Sequence, residues 1–246
     1  NLNYFLFRNI IKIQFVYAIL FSTTKTILSL HIMSKKTPIP LMPWAAKHQW
    51  QIEPTNLLII SIAMAIMGIG EGLLVSAKLG NAPWTVLSQG LALQTGMSIG
   101  WAIALISVIV LLFWIPFKLK FGLGTILNVL IISFFIDQTT KWVAPPELLS
   151  TRIFYMIFGI IIFSIGTAFY LSCKLGTGPR DGLMVGICQK YGWNVGRVRT
   201  AIEISVCCFG IFMGGTFGIS TILFALTVGW IIQGTYFLLE RRFSVL

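Results

Sequence analysis

The apolar residues of this chain come in unbroken runs, neither striped at helical spacing nor alternating as in a strand. Long runs cover residues 57–77, 99–117, 123–142, 153–172, 195–213 and 219–238, with short polar segments between them. At a helical rise of 1.5 Å per residue, about 20 residues cross the ~30 Å hydrocarbon layer of a bilayer. Only structures that satisfy every backbone polar group internally can do so. Each long run therefore predicts a transmembrane helix. Two shorter runs, 83–93 and 179–189, predict helices of about 17 Å, roughly half of that layer. They do not cross.

The order long, short, long, long occurs twice, and the residues repeat with it. A shift of 96 positions aligns 65–138 with 161–234 without a gap, with 23 identities in 74 positions. Glycines and prolines coincide: Gly70/Gly166, Gly80/Gly176, Pro83/Pro179, Gly90/Gly186, Gly96/Gly192, Gly100/Gly196 and Gly122/Gly218. The chain is a duplicated unit. With three crossings per unit, the second unit stands upside down relative to the first, a relation found in many transporters. The expected fold is an all-α polytopic membrane protein. It has six transmembrane helices as two inverted three-helix repeats, each with a short half-helix after its first span. The expected organisation is an upstream extension (1–32), a cytoplasmic lead-in (33–56), repeat one (57–143), repeat two (152–239) and a cytoplasmic tail (240–246).

Charge sets the orientation. From Met33 onward, six spans with the N-terminus inside place twelve basic residues on the inner side and three, Lys78, Lys141 and Arg152, on the outer side. Counting the short segments as crossings weakens this split to ten against five. The positive-inside bias thus favours six spans with both termini cytoplasmic. It also accounts for the net charge of +11 without nucleic acid. Hydrophobic residues make up 57% of the chain and charged residues 10%. Soluble domains carry about 25% charge, so the lipid bilayer is the expected surrounding.

Chemistry concentrates in the paired motif. "KLGNAPW" begins at Lys78 and "KLGTGPRD" at Lys174. Gly80, Gly176 and Gly178 permit a sharp turn, and Pro83 and Pro179 suit the first turn of a helix. Unpaired N–H groups at such a helix start attract anions. Two readings fit: the short helices pack the bundle, or they line a pathway. Arg180 and Asp181 stand where the first unit has Trp84 and Thr85. Arg180 offers a planar clamp for a carboxylate or phosphate, with Asp181 capping the helix, or the two form an interfacial ion pair. Ionisable residues inside spans need a reason. Glu71, between Gly70 and Gly72, has no partner at i±4 and is the strongest candidate to take up a proton or hold a cation. Asn128 offers a mid-span hydrogen bond. Asn81 completes the first motif. Asp137 with Lys141, and Glu203 with Arg199, read as local ion pairs at i,i+4.

No metal site, disulfide framework or cofactor is expected. Cys173, Cys188, Cys207 and Cys208 form no C-x-x-C motif, and His31 and His48 lie apart from them. No nucleophile–base pair is evident, so the chain is not expected to be an enzyme.

The duplicated "KLGNAPWTVLSQGL" and "KLGTGPRDGLMVGI", and above all "GTAFYLSCKLGTGPRDGLM", resemble the bacterial integral membrane proteins of the YczE/YyaS/YitT type over about 57–239. The resemblance implies a multi-pass protein of the bacterial inner membrane and no particular reaction. The favoured function is a small-solute transporter or channel, with an anion as one candidate solute and the half-helices lining its site. The alternative is a non-transporting membrane factor that binds a partner at the cytoplasmic face. The sequence names neither a protein partner nor an oligomeric state.

The segment 1–32 has no clean span, because Arg8, Lys12 and Lys25 interrupt it, whereas "MSKKTPIP" from Met33 reads as a cytoplasmic start. The natural protein is expected to begin at Met33. Intact mass checks this, and a species retaining Tyr4 to Ile32 contradicts it.

Overall fold

The computed structural model describes residues 42–243. The expected extension 1–32, the start at Met33 and the first part of the lead-in lie outside the described residues. Among the described residues the protein contains eight α-helices and no strand: α1 (Pro54–Ala77), α2 (Pro83–Thr95), α3 (Ile99–Leu112), α4 (Leu123–Trp142), α5 (Leu149–Ser172), α6 (Pro179–Tyr191), α7 (Val195–Phe212) and α8 (Ile219–Phe243). A 3-10 turn, Ile115–Phe117, extends α3. The α-helix stops there because Pro116 has no N–H and its ring crowds the carbonyl four residues back.

The local signals act as chemistry requires. Proline starts α1, α2 and α6. Gly96 and Gly192 end the two short helices in the left-handed region, with φ of 75° and 67°. Ser98 caps α3 and Asn194 caps α7.

Five helical segments are long and apolar enough to cross a membrane: Pro54–Ala77, Ile99–Phe117, Leu123–Trp142, Leu149–Ser172 and Ile219–Phe243. The run at 195–213, expected as a further span, becomes α7. It has 18 residues and falls outside the five because Arg197, Arg199 and Glu203 lie in it.

The first long helices of the two units, α1 and α5, cross at glycine. A Cβ on Gly70 would lie 2.8 Å from the Gly159 carbonyl oxygen, and one on Gly159 would lie 2.8 Å from that of Gly70. The same contact recurs 96 positions on: a Cβ on Gly166 would lie 2.7 Å from the carbonyl oxygen of Ala63. Small residues let helix backbones approach this closely where lipid supplies no hydrophobic drive.

The two glycine loops are held by exchange. Lys78 and Lys174 both have φ of 54°, and Gly80 and Gly176 have φ of 112° and 116°. In one loop the Leu79 carbonyl accepts the Ser220 N–H at 3.0 Å; in the other the Leu175 carbonyl accepts the Gly124 N–H at 2.9 Å. Each loop thus docks on the head of the third long helix of the other unit. Each head is closed in the same way, by Gly122 N–H to Thr125 Oγ1 at 3.2 Å and Gly218 N–H to Thr221 Oγ1 at 3.3 Å.

Each short helix also packs on the second long helix of the other unit. Here a large and a small residue trade places. Gly182 of α6 lies directly under the Trp114 indole, whose Nε1–H donates to the Pro179 carbonyl at 2.9 Å. In the equivalent contact Val86 of α2 faces Gly210 of α7, where an added Cβ would be 2.6 Å from the Val86 carbonyl carbon. One end of the structure carries a strap ahead of α1. Trp44 Nε1–H donates to Ser172 Oγ at 2.9 Å, Ala46 N–H donates to the Cys173 carbonyl at 2.9 Å, and the Gln49 carbonyl accepts from Leu123 N–H at 3.0 Å. Trp44 is also stacked on Phe169, with centroids 6.2 Å apart.

Gly80→Ala should destabilise the protein more than Gly96→Ala. Both residues have positive φ, which costs a non-glycine residue about 1–2 kcal/mol. A Cβ at 80 would also lie 2.5 Å from the Gly218 backbone nitrogen, whereas that at 96 meets open space. Thermal unfolding of the purified variants in detergent checks this, at roughly 2–4 °C per kcal/mol for a chain of this size.

Candidate functional site

A cavity of about 160 Å³ lies between the two units. Its wall is built from repeat-related positions. Eight pairs separated by 96 residues both face it: Met67/Phe163, Glu71/Thr167, Ala82/Gly178, Trp84/Arg180, Ile103/Arg199, Ser107/Glu203, Asn128/Phe224 and Ile132/Val228. Both members of a pair can line one space only if the space sits where the repeats meet. None of the eight pairs is an identity. At these eight paired positions the two copies differ, whereas Pro83, Ile202 and Ile232 in the same wall match their repeat partners.

Five charged residues of the helices, Glu71, Arg180, Asp181, Arg199 and Glu203, line the cavity. Glu71, 2% exposed, accepts a hydrogen bond from the Thr85 hydroxyl at 2.6 Å. Its other oxygen lies 3.7 Å from Arg180 Nη1, a Coulomb contact beyond hydrogen-bond reach. α6 brings Arg180 to this point from the second unit, while α1 and α2 bring Glu71 and Thr85 from the first. The Arg180 guanidinium lies over the Trp84 ring, 5.3 Å from its centroid. No hydrogen bond ties its donors among the described residues. Arg199 Nε–H donates to Glu203 Oε1 at 2.9 Å, and both residues also line the cavity.

Asp181 sits in the first turn of α6, where the helix dipole favours a carboxylate. It makes no side-chain cap bond. Burial pushes its carboxyl above the usual range, and the nearby guanidiniums of Arg199 and Arg180 oppose that rise without cancelling it. The Tyr170 hydroxyl accepts the Gly178 N–H at the start of α6. The buried Tyr236 hydroxyl has no hydrogen-bond partner and lies close enough to Asp181 to feel its charge.

Of the residues singled out from sequence, Glu71, Pro83, Trp84, Asn128, Gly178, Arg180 and Asp181 meet at this cavity. The others are elsewhere. Gly80 and Gly176 pack against Gly218 and Gly122. Asn81 is 1% exposed and donates to Gln89 Oε1 at 2.7 Å. Pro179 holds the Trp114 indole through its carbonyl. Asp137, read as a partner of Lys141, instead accepts from the Ser98 hydroxyl and from Gly100 N–H, the latter at 2.7 Å, and so caps α3. Among the described residues the ion pairs are Glu71–Arg180 and Arg199–Glu203. Thr167, Tyr170, Arg199 and Glu203 join the wall without having been singled out for it, and Thr85 reaches the site through its bond to Glu71. The signal available for them was departure from the repeat.

Comparison with known proteins gives the family. The model described as "Family of unknown function (DUF6198)" matches residues 54–236. An uncharacterized protein of Haemophilus influenzae is 48% identical over 202 residues, covering 82% of this chain and 93% of the relative. The uncharacterized membrane protein YczE of Bacillus subtilis is 31% identical, covering 69% of this chain and 80% of the relative. The uncharacterized protein YyaS of Bacillus subtilis is 27% identical, covering 74% and 92%. No solved structure matches the chain. With its long apolar helices, the chain belongs to the YczE/YyaS-type family of membrane proteins, DUF6198.

Proposed function

We propose that the protein is a small-solute transporter or channel whose site is the cavity between the two units. The observation that carries this reading is the lining of one cavity, with charged residues in its wall, by equivalent positions of both repeats. In transporters built from inverted repeats, the substrate site lies at the interface between repeats and is formed near interrupted helices. Here α2 and α6 are the short helices, and both contribute to the wall. In this reading α7 crosses as a sixth span. Its Arg199 and Glu203 satisfy each other at the cavity wall, which lowers the cost of holding them in a span. Three crossings per unit then invert the second unit, and both termini lie in the cytoplasm of a bacterial inner membrane.

The cavity volume, about 160 Å³, is close to that of cavities that accept a single benzene, so the solute is compact. The unbonded Arg180 donors and the start of α6 together suit the acid group of an anion. No nucleophile–base pair lines the space, so we assign it binding and not catalysis. The alternative, a factor that docks a partner through its basic inner loops, gains less support. Arg199, one of the basic residues it would need, is paired with Glu203 at the cavity wall.

Two measurements test the proposal. Lys78 and Lys174 are both exposed. With the native cysteines removed, Lys78→Cys and Lys174→Cys should react with an impermeant thiol reagent from opposite sides of the membrane. Uptake of small carboxylates and inorganic phosphate into proteoliposomes should fall about tenfold with Arg180→Lys, which keeps the charge and loses the planar fork. Unchanged uptake by well-folded Arg180→Ala, or labelling of both cysteines from one side, contradicts it.

A further inference from the structure

The cavity does not balance its own charge. Its wall carries three carboxylates, Glu71, Asp181 and Glu203, against two guanidiniums, Arg180 and Arg199. Glu203 and Arg199 satisfy each other at 2.9 Å. Arg180 lies 3.7 Å from Glu71, and Asp181 is within the reach of both Arg199 and Arg180, so two guanidiniums serve three carboxylates. No other element makes up the deficit. Towards this cluster α2 presents the Thr85 hydroxyl, α3 presents Ser107, α4 Asn128, α5 Tyr170 and α8 Tyr236. None of these is a cation. α7 adds only the Arg199–Glu203 pair.

An uncompensated charge enclosed between apolar helices is costly, and such a group neutralises itself by taking up a proton. The partners fit both states of the carboxylates. A hydroxyl donates to a carboxylate and accepts from a carboxylic acid, so Thr85 keeps its bond to Glu71 either way. The unpartnered Tyr236 hydroxyl stands near Asp181.

We propose that Glu71 and Asp181 form a proton-binding site: in the ligand-free protein at neutral pH the pair holds one exchangeable proton, and an anion bound at Arg180 draws in a second. The charge count assigns the proton to the two carboxylates together and not to either residue alone. An anion at Arg180 competes with Glu71 for that guanidinium, so anion and proton binding favour one another, as linkage requires. The coupling role rests on the transport reading above; the resident proton does not.

Infrared spectroscopy of the purified ligand-free protein, exchanged between H₂O and D₂O, counts protonated carboxyl groups through their C=O band. Wild type should show one buried band at neutral pH. Glu71→Gln or Asp181→Asn leaves as many carboxylates as guanidiniums in the cavity wall and should abolish the band. Arg180→Gln should double it, whereas Arg180→Lys, which preserves the charge count and guards against misfolding, should leave one. Addition of inorganic phosphate to wild type should raise the signal. Absence of the band in wild type, or its survival in both acid variants, overturns the proposal. So does stabilisation by sodium over choline chloride in protein lacking the band, which assigns the surplus charge to a metal cation. A band that follows the pattern in protein that moves no solute leaves the proton site standing and removes only the transport reading.

Discussion

Two backbone hydrogen bonds organise this fold: Leu79 carbonyl to Ser220 N–H, and Leu175 carbonyl to Gly124 N–H. A glycine loop between helices leaves carbonyls and N–H groups without helical partners, and where such backbone is buried those groups need partners elsewhere in the protein. Each unit supplies those partners for the other. Its third long helix begins at a glycine, Gly122 or Gly218, whose missing side chain lets the opposite loop reach the helix head. The positive φ of Gly80 and Gly176 then turns the chain so that a proline can start the short helix. Neither loop is sustainable without the other unit, so the fold forms around the exchange.

From that framework the cavity follows. The exchange fixes where α2 and α6 begin, and hence where Trp84, Thr85, Arg180 and Asp181 face one another and Glu71. The Glu71–Arg180 contact therefore bridges the units. A glutamate alone in the first span would be an uncompensated charge; Arg180 on α6 and the Thr85 hydroxyl are what allow it to be 2% exposed. The framework positions are often identical between the copies, because both copies perform the same backbone task. The eight paired lining positions share a location but not a chemistry.

Much of this is legible in the sequence, and the limits have physical causes. Glycine and proline carry backbone information directly, so the turns at Gly80 and Gly176, the helix starts at Pro83 and Pro179 and the helix ends at Gly96 and Gly192 can be read from single positions. Long apolar runs give most spans. The run at 195–213 is harder, because hydropathy averages over a helix and cannot tell a lipid-facing charge from one turned inward. Spacing misleads in a related way. Asp137 and Lys141 stand at i,i+4, yet the nearby unsatisfied N–H groups of α3 claim the carboxylate. Arg199 and Glu203 do pair at that spacing, and their placement in the cavity wall is a tertiary fact that no local rule reports. The same holds for Tyr170 and for the Thr85–Glu71 bond, which joins two helices.

The exchange of size between the two helix contacts, Gly182 under Trp114 and Val86 against Gly210, makes self-recognition unfavourable. Pairing a first unit with another first unit would press Val86 into Trp114. Pairing two second units would set Gly182 opposite Gly210 and leave a void with no packing partner. Only unlike units fill the contact without collision or gap. A duplicated membrane chain runs the risk that matching halves of neighbouring molecules find each other during insertion. Here steric complementarity discriminates against that mismatch, so the two copies have become obligate mates within one molecule.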